Sequence, residues 1–121
     1  MEKRTLVLGA SLNPERYSNK AIKSLMRHNI PYVAIGRRDG RENDIIISGG
    51  KPEDVGYIHT VILYMNAANQ REYYDYVLSL KPERIIFNPG AENPEFQSIA
   101  SKANIEVVEA CTLVLLCTGV F

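Results

Sequence analysis

The chain has 121 residues, 45% hydrophobic and 23% charged, a balance that fits one compact domain and excludes a disordered chain. Fourteen basic and 14 acidic residues give a formal charge of zero, so charge offers no support for nucleic acid or an acidic membrane surface as a partner. The longest apolar stretch is interrupted by Thr112 and Thr118 and is too short to span a bilayer.

The MEKR start leads into Thr5–Leu8, which reads as a short buried strand closed by Gly9. That apolar run is too short for a signal-peptide core and lacks a cleavage site, so a cytoplasmic location is expected. A polar loop follows. A helix is predicted from Asn19 to His28, capped by Ser18, with Ala21, Ile22, Leu25 and Met26 at helical spacing and Asn29 and Pro31 ending it. Tyr32–Ile35 reads as a strand closed by Gly36. The polar stretch from Arg37 to Gly50 holds a possible short strand at Ile45–Ile47, and Pro52–Val55 a single helical turn. His59–Tyr64 is the next strand.

Asn69 followed by Glu72 resembles a capping box, predicting a helix to Leu80 that Lys81-Pro82 stops. Arg84–Asn88 is a buried strand before a Pro89-Gly90 turn. Asn93-Pro94 opens a helix that runs to about Ala103. Glu106–Glu109 is a last strand, and Thr112–Cys117 is read as a short helix ended by Gly119. Cys111 and Cys117 form no disulfide or zinc pattern and are expected to be reduced. Apolar strands alternating with amphipathic helices predict a single α/β domain: three layers, Rossmann-like and doubly wound, around a mainly parallel sheet.

In such a fold the loop after the first strand meets a helix N-terminus, where free N–H groups and the helix dipole suit a phosphate. The dinucleotide fingerprint needs G-x-G-x-x-G there. Here Gly9, Ala10, Ser11, Leu12, Asn13 and Pro14 supply only the first glycine, which argues against a standard NAD site. The second strand ends in Gly36-Arg37-Arg38, where NAD enzymes place an acid. Guanidinium groups match the oxygens of a ribose phosphate, as in CoA or NADP; the alternative is a pair of solvated loop charges.

The run GASLNPERYSNKAI resembles the loop after strand one in the small single-domain CoA-binding proteins, related to the CoA-binding domain of succinyl-CoA synthetases. VAIGRRDG, FNPGAENPEF and IEVVEACT continue the resemblance in order over nearly the whole chain. Arg37-Arg38 stands where relatives more often carry Asn-Pro-Lys, and Tyr64-Met65-Asn66 where Phe-Arg is usual. The resemblance implies a small-molecule nucleotide ligand, CoA or an acyl-CoA. It places Gly9, Ala10 and Ser11 as main-chain donors at the pyrophosphate, in a loop shaped by Pro14, with Arg16 and Ser18 adding side-chain donors. Arg37 or Arg38 meets the ribose phosphate, Met65 and Asn66 flank the adenine or ribose, and Asn88 and Gly90 border the crevice. For Ser18 a plain capping role is compatible; for Asn88 a turn role is the alternative.

No catalytic set emerges. His28 lies at a predicted helix end and His59 at a strand start, and there is no metal cluster or P-loop lysine. Lys51 reads as a solvated lysine. Cys111, ahead of a predicted helix N-terminus, could meet the CoA thiol and form a mixed disulfide; a buried inert thiol is the alternative. Three readings follow: non-catalytic binding of CoA or acyl-CoA, an NADP-dependent oxidoreductase, or an interaction subunit that has lost its ligand, which an exposed Leu113–Leu116 would favour.

Overall fold

The computed structural model describes residues 3–121. Among them, seven strands form one sheet in the order β3-β4-β2-β1-β5-β6-β7. β1 (Thr5–Leu8), β2 (Tyr32–Gly36), β4 (Ile45–Gly49), β5 (Thr60–Leu63), β6 (Arg84–Phe87) and β7 (Glu106–Glu109) run parallel. β3 (Gly40–Glu42) pairs antiparallel with β4 at the edge. The helices are α1 (Tyr17–Arg27), α2 (Ala67–Gln70), α3 (Tyr74–Leu80), α4 (Pro94–Lys102) and α5 (Thr112–Thr118); a 3-10 turn, Arg71–Tyr73, joins α2 to α3.

The period-2 alternation of each strand separates two cores. Leu6, Leu8, Val61, Leu63, Ile85 and Phe87 pack against α3 and α4 on one face. Val7, Ala34, Ile62 and Ile86 pack against α1 and α5 on the other. Both faces of the central strands are therefore apolar, as expected for a covered parallel sheet. Phe96 of α4 anchors the first core, stacked on Tyr74 at 4.3 Å between ring centroids and edge-on to Phe87 at 5.9 Å.

The predicted architecture is the observed one, and the local differences have local causes. α1 starts at Tyr17, with Arg16 as its N-cap and no side-chain cap. Asn13 turns the chain early: its Oδ1 accepts from Glu15 N–H and its carbonyl from Arg16 N–H. Ser18 is thus a buried residue of the first turn, not the cap. The helix after β5 is capped by Asn66, whose Oδ1 accepts from Asn69 N–H, so Asn69 is the capped residue. Pro52–Val55 makes no helical turn. It is irregular chain with a bend at Glu53, pinned by Arg4 Nε to Val55 O (2.9 Å) and Tyr76 OH to Pro52 O (2.6 Å). β3 was not predicted, because Gly-Arg-Glu carries no apolar signal; it pairs only because Asn43, at φ 55°, turns the chain back. Leu116 is buried and Leu113 and Leu115 pack beside it, leaving Val114 exposed. The apolar α5 segment thus serves the core.

At the N-terminal end of the sheet, His59 Nδ1 meets Thr60 Oγ1 at 2.7 Å and its Nε2 lies 3.9 Å from Glu83. Tyr57 OH donates to the same carboxylate. Burial lowers the His59 pKa below 6.5, against the opposing charge of Glu83; Arg84 and Lys3 also lower it and Glu106 raises it. A histidine with a depressed folded pKa contributes fully above its unfolded value, and that contribution is lost as pH falls through the folded value. His59→Gln is therefore expected to lessen the loss of stability below about pH 6.5, read from urea midpoints across that range. An unchanged pH slope would contradict this.

Candidate functional site

Chain order reverses at β1: β2 lies on one side and β5 on the other. Ligands of open α/β sheets bind outside the strands' carboxyl ends at such a point. A cleft of about 1400 Å³ opens there, larger than the roughly 300–1,000 Å³ of common small-molecule sites.

Its floor is made by a close approach of main chains. Gly9 has φ +89°, and a Cβ on it would lie 3.1 Å from Met65 N. A Cβ on Gly36 would lie 2.7 Å from Ala10 O and 2.9 Å from Ile47 Cγ2. The amides of Gly9 and Ala10 both donate to Ile35 O at 3.0 Å. They continue the β1–β2 pairing, so both N–H groups have a main-chain acceptor. Ser11 remains on the cleft wall. Its hydroxyl accepts from Asn13 N–H at 3.0 Å, and its carbonyl accepts from Asn19 Nδ2 at 2.9 Å. The N-terminus of α1 opens beside this loop without a side-chain cap; Arg16 N–H donates to Asn13 O and Asn19 N–H to Arg16 O, which leaves the amides of Tyr17 and Ser18 without acceptors among the described residues.

Of the residues singled out from the sequence, Gly9, Ala10, Ser11, Arg16 and Ser18 line the β1–α1 side. Arg37 and Arg38 line the β2 end, Met65 and Asn66 the β5 wall, and Asn88 and Cys111 the far end. Pro14 and Gly90 do not line it. Arg16, Arg37 and Arg38 are exposed. Ion pairs among the described residues are His59–Glu83 and Arg71–Glu95, so all three arginines lack a carboxylate partner. Glu15, Asp39 and Glu72 also reach the lining. Asp39 Oδ1 is engaged by Gly49 N–H at 2.7 Å, which fixes the arginine turn against β4.

Asn88 is 1% exposed and its amide works inside the protein. Nδ2 donates to Leu63 O at 3.2 Å, and Oδ1 accepts from Thr112 N–H at 2.8 Å. It ties β6 to β5 and caps α5 from outside, since Cys111 at the N-cap position makes no side-chain cap. Cys111 is half-buried. Beside it, burial pushes the Tyr64 hydroxyl up to about 12, partly offset by the nearby Thr112 hydroxyl. Tyr64 OH and Thr112 Oγ1 are buried without a well-formed hydrogen bond, as is Asn19 Oδ1. Lys51 stands outside the lining, 5.2 Å over the ring of Tyr73 on the β5 wall.

The sequence does not single out Tyr64, which lines the cleft, or Asn19 and Gln70, which hold its loops from behind. Asn19 and Gln70 are fully buried polar groups on the apolar stripe of a helix, and that mismatch was the available signal. Among the described residues there is no cluster of metal-ligating side chains and no helix long and apolar enough to cross a membrane.

A doubly wound sheet with a crevice at its switch point defines the Rossmann-like domains that bind nucleotides. Within that class this chain belongs to the CoA-binding domain family, whose model matches residues 3–116. It is similar to a crystal structure of an uncharacterised protein: 43% identity, 100% of this chain and 99% of that one, TM-score 0.93. A hypothetical protein from Pyrococcus horikoshii OT3 (20% identity, 93% and 80% covered, TM-score 0.84) shares the fold. So does a protein from Thermus thermophilus (22% identity, 99% and 91% covered, TM-score 0.82). No match is found among curated proteins.

Asn88→Leu would leave Thr112 N–H and Leu63 O unpaired in a buried place. Each unmet group costs about 1–3 kcal/mol, so the urea midpoint should fall clearly, while Asn88→Asp, which keeps the acceptor for Thr112, should lose less. Equal losses would assign Asn88 a packing role only.

Proposed function

We propose that this protein is a cytoplasmic, non-catalytic binding module for CoA or an acyl-CoA. The observation that carries the reading is the layout of the cleft: Arg37 and Arg38, without a carboxylate partner among the described residues, at one end and Cys111 at the other. The carboxyl ends of β2 and β7 are four strand spacings apart, about 19 Å at roughly 4.8 Å each. A long ligand with a phosphate near one end and a thiol at the other suits that span.

On this reading the ribose phosphate meets Arg37 and Arg38. The pyrophosphate lies over the Ser11 loop and the N-terminus of α1, with Arg16 beside it. The base stands against the Met65–Asn66 wall, and Asn66 keeps its Nδ2 for it, since its Oδ1 caps α2. The pantetheine arm runs past Tyr64 towards Cys111. No set of acid, base and nucleophile converges on this path, so the chemistry supported is recognition.

A charge-assisted hydrogen bond is worth about 1.5–3 kcal/mol, roughly ten- to hundredfold in affinity. CoA should therefore raise the melting temperature more than dephospho-CoA does. Replacing both arginines, Arg37→Ala with Arg38→Ala, should erase that difference and leave the dephospho-CoA shift in place. Equal shifts from CoA and dephospho-CoA in the wild type would remove the arginine assignment. A shift from NADP alone would favour an oxidoreductase.

A further inference from the structure

Gln70 has no exposed surface. A glutamine in such a place is costly unless each polar atom is matched. Here each is matched. Nε2 donates to Met65 O at 2.8 Å and to Ala91 O at 2.7 Å. Oε1 accepts from Asn93 Nδ2 at 2.9 Å. Asn93, 3% exposed, is matched in turn: Nδ2 also donates to Tyr74 OH at 2.8 Å, and Oδ1 accepts from Phe96 N–H at 3.0 Å. Tyr74 OH donates to Glu95 Oε1 at 3.0 Å, and Arg71 Nε lies 3.4 Å from the same carboxylate.

The two carbonyls held by Gln70 belong to different loops. Met65 follows β5 and lines the cleft; Ala91 follows β6, two residues beyond the cleft-lining Pro89. Neither carbonyl lies in a strand, so the sheet does not hold these loops together at this level. One side chain that never reaches the cleft therefore sets the distance between two of its walls. The helix after β5 also breaks at this point, into α2, a 3-10 turn and α3. The cleft-lining Asn66, Asn69, Glu72 and Tyr73 all lie on the α2 side of the break or within it. Mid-helix 3-10 stretches commonly mark a functional constraint.

We propose that Gln70 is a positioning residue: it fixes the Met65–Tyr73 wall against the loop after β6 and so sets the fit of the ligand's base. The inference rests on the CoA reading. A fully satisfied buried network is rigid, and its geometry is lost when a central member cannot donate. Gln70 acts through Met65, so its loss falls on the part of the ligand that touches that wall.

The test is calorimetric titration with the two halves of CoA, adenosine 3′,5′-bisphosphate and 4′-phosphopantetheine. Gln70→Leu should weaken the bisphosphate about tenfold or more, and leave 4′-phosphopantetheine within about twofold. Tyr74→Phe, which keeps both carbonyl bonds of Gln70, should leave both halves within about twofold. Equal weakening of the two halves by Gln70→Leu, no weakening of the bisphosphate, or the same loss from Tyr74→Phe would each overturn the proposal. Should Gln70→Leu fail to fold, the wild type decides. Its Gln70 side-chain amide resonances should move with the bisphosphate and stay with 4′-phosphopantetheine; the reverse, or no movement, overturns it. If the wild type binds neither CoA nor either half, the CoA reading falls and this inference with it. If CoA binds and only the Gln70 effects are missing, the inference falls alone.

Discussion

The carbonyl of Ile35 is the point on which the site depends. Two successive amides, those of Gly9 and Ala10, donate to it. That pairing carries the β1–β2 ladder past the end of β1 and then turns the chain across the sheet's edge. It works only because Gly36 leaves room for Ala10 O and Gly9 leaves room for the backbone after β5. A side chain at Gly36 would force the loops after β1 and β2 to shift apart, and one at Gly9 would be strained at φ +89° and crowd the backbone after β5. The same closeness shows how a loop without the glycine fingerprint still packs tightly against its neighbours. Gly9 and Gly36 make the tight contacts, and Ser11 and the start of α1 follow on the cleft wall.

Above that floor the walls are held by side-chain amides. Parallel strands leave their loops without partners at the carboxyl edge, and every buried carbonyl or N–H there must find one. Asn19 reaches Ser11 O, Gln70 reaches Met65 O and Ala91 O, Asn88 reaches Leu63 O and Thr112 N–H, and Asn93 caps α4. Each is nearly without exposed surface. Apolar residues would fill the same space but leave main-chain groups unmet, at about 1–3 kcal/mol each. The amides therefore serve shape more than net stability. They fix where the Ser11 loop, the Met65 wall and the start of α5 beside Cys111 stand.

The strands and most helices could be read from the sequence because their signals are local. Leu6, Val7 and Leu8, or Ile85, Ile86 and Phe87, are continuous apolar runs between turn residues, and Asn93-Pro94 caps α4 as expected. The candidate site was legible where a residue type carries its own chemistry, as with Arg37, Arg38 and Cys111. It was not legible where the role depends on a distant main-chain atom. Nothing near Gln70 announces the carbonyl of Ala91, 21 residues away. Nothing near Asn88 announces Thr112 N–H, 24 residues on. Nothing local announces the bonds of Gly9 and Ala10 to Ile35 O either, because the register that places them there is a tertiary fact. β3 stayed hidden for the same reason: three residues without an apolar pattern become a strand only through β4.

The central claim is that the cleft takes CoA by its phosphate-to-thiol length, and native mass spectrometry tests it most directly. The protein mixed with equimolar CoA, NADP and NAD should carry one CoA mass and neither dinucleotide. An NADP adduct without CoA, or no adduct from any of the three, would contradict the account.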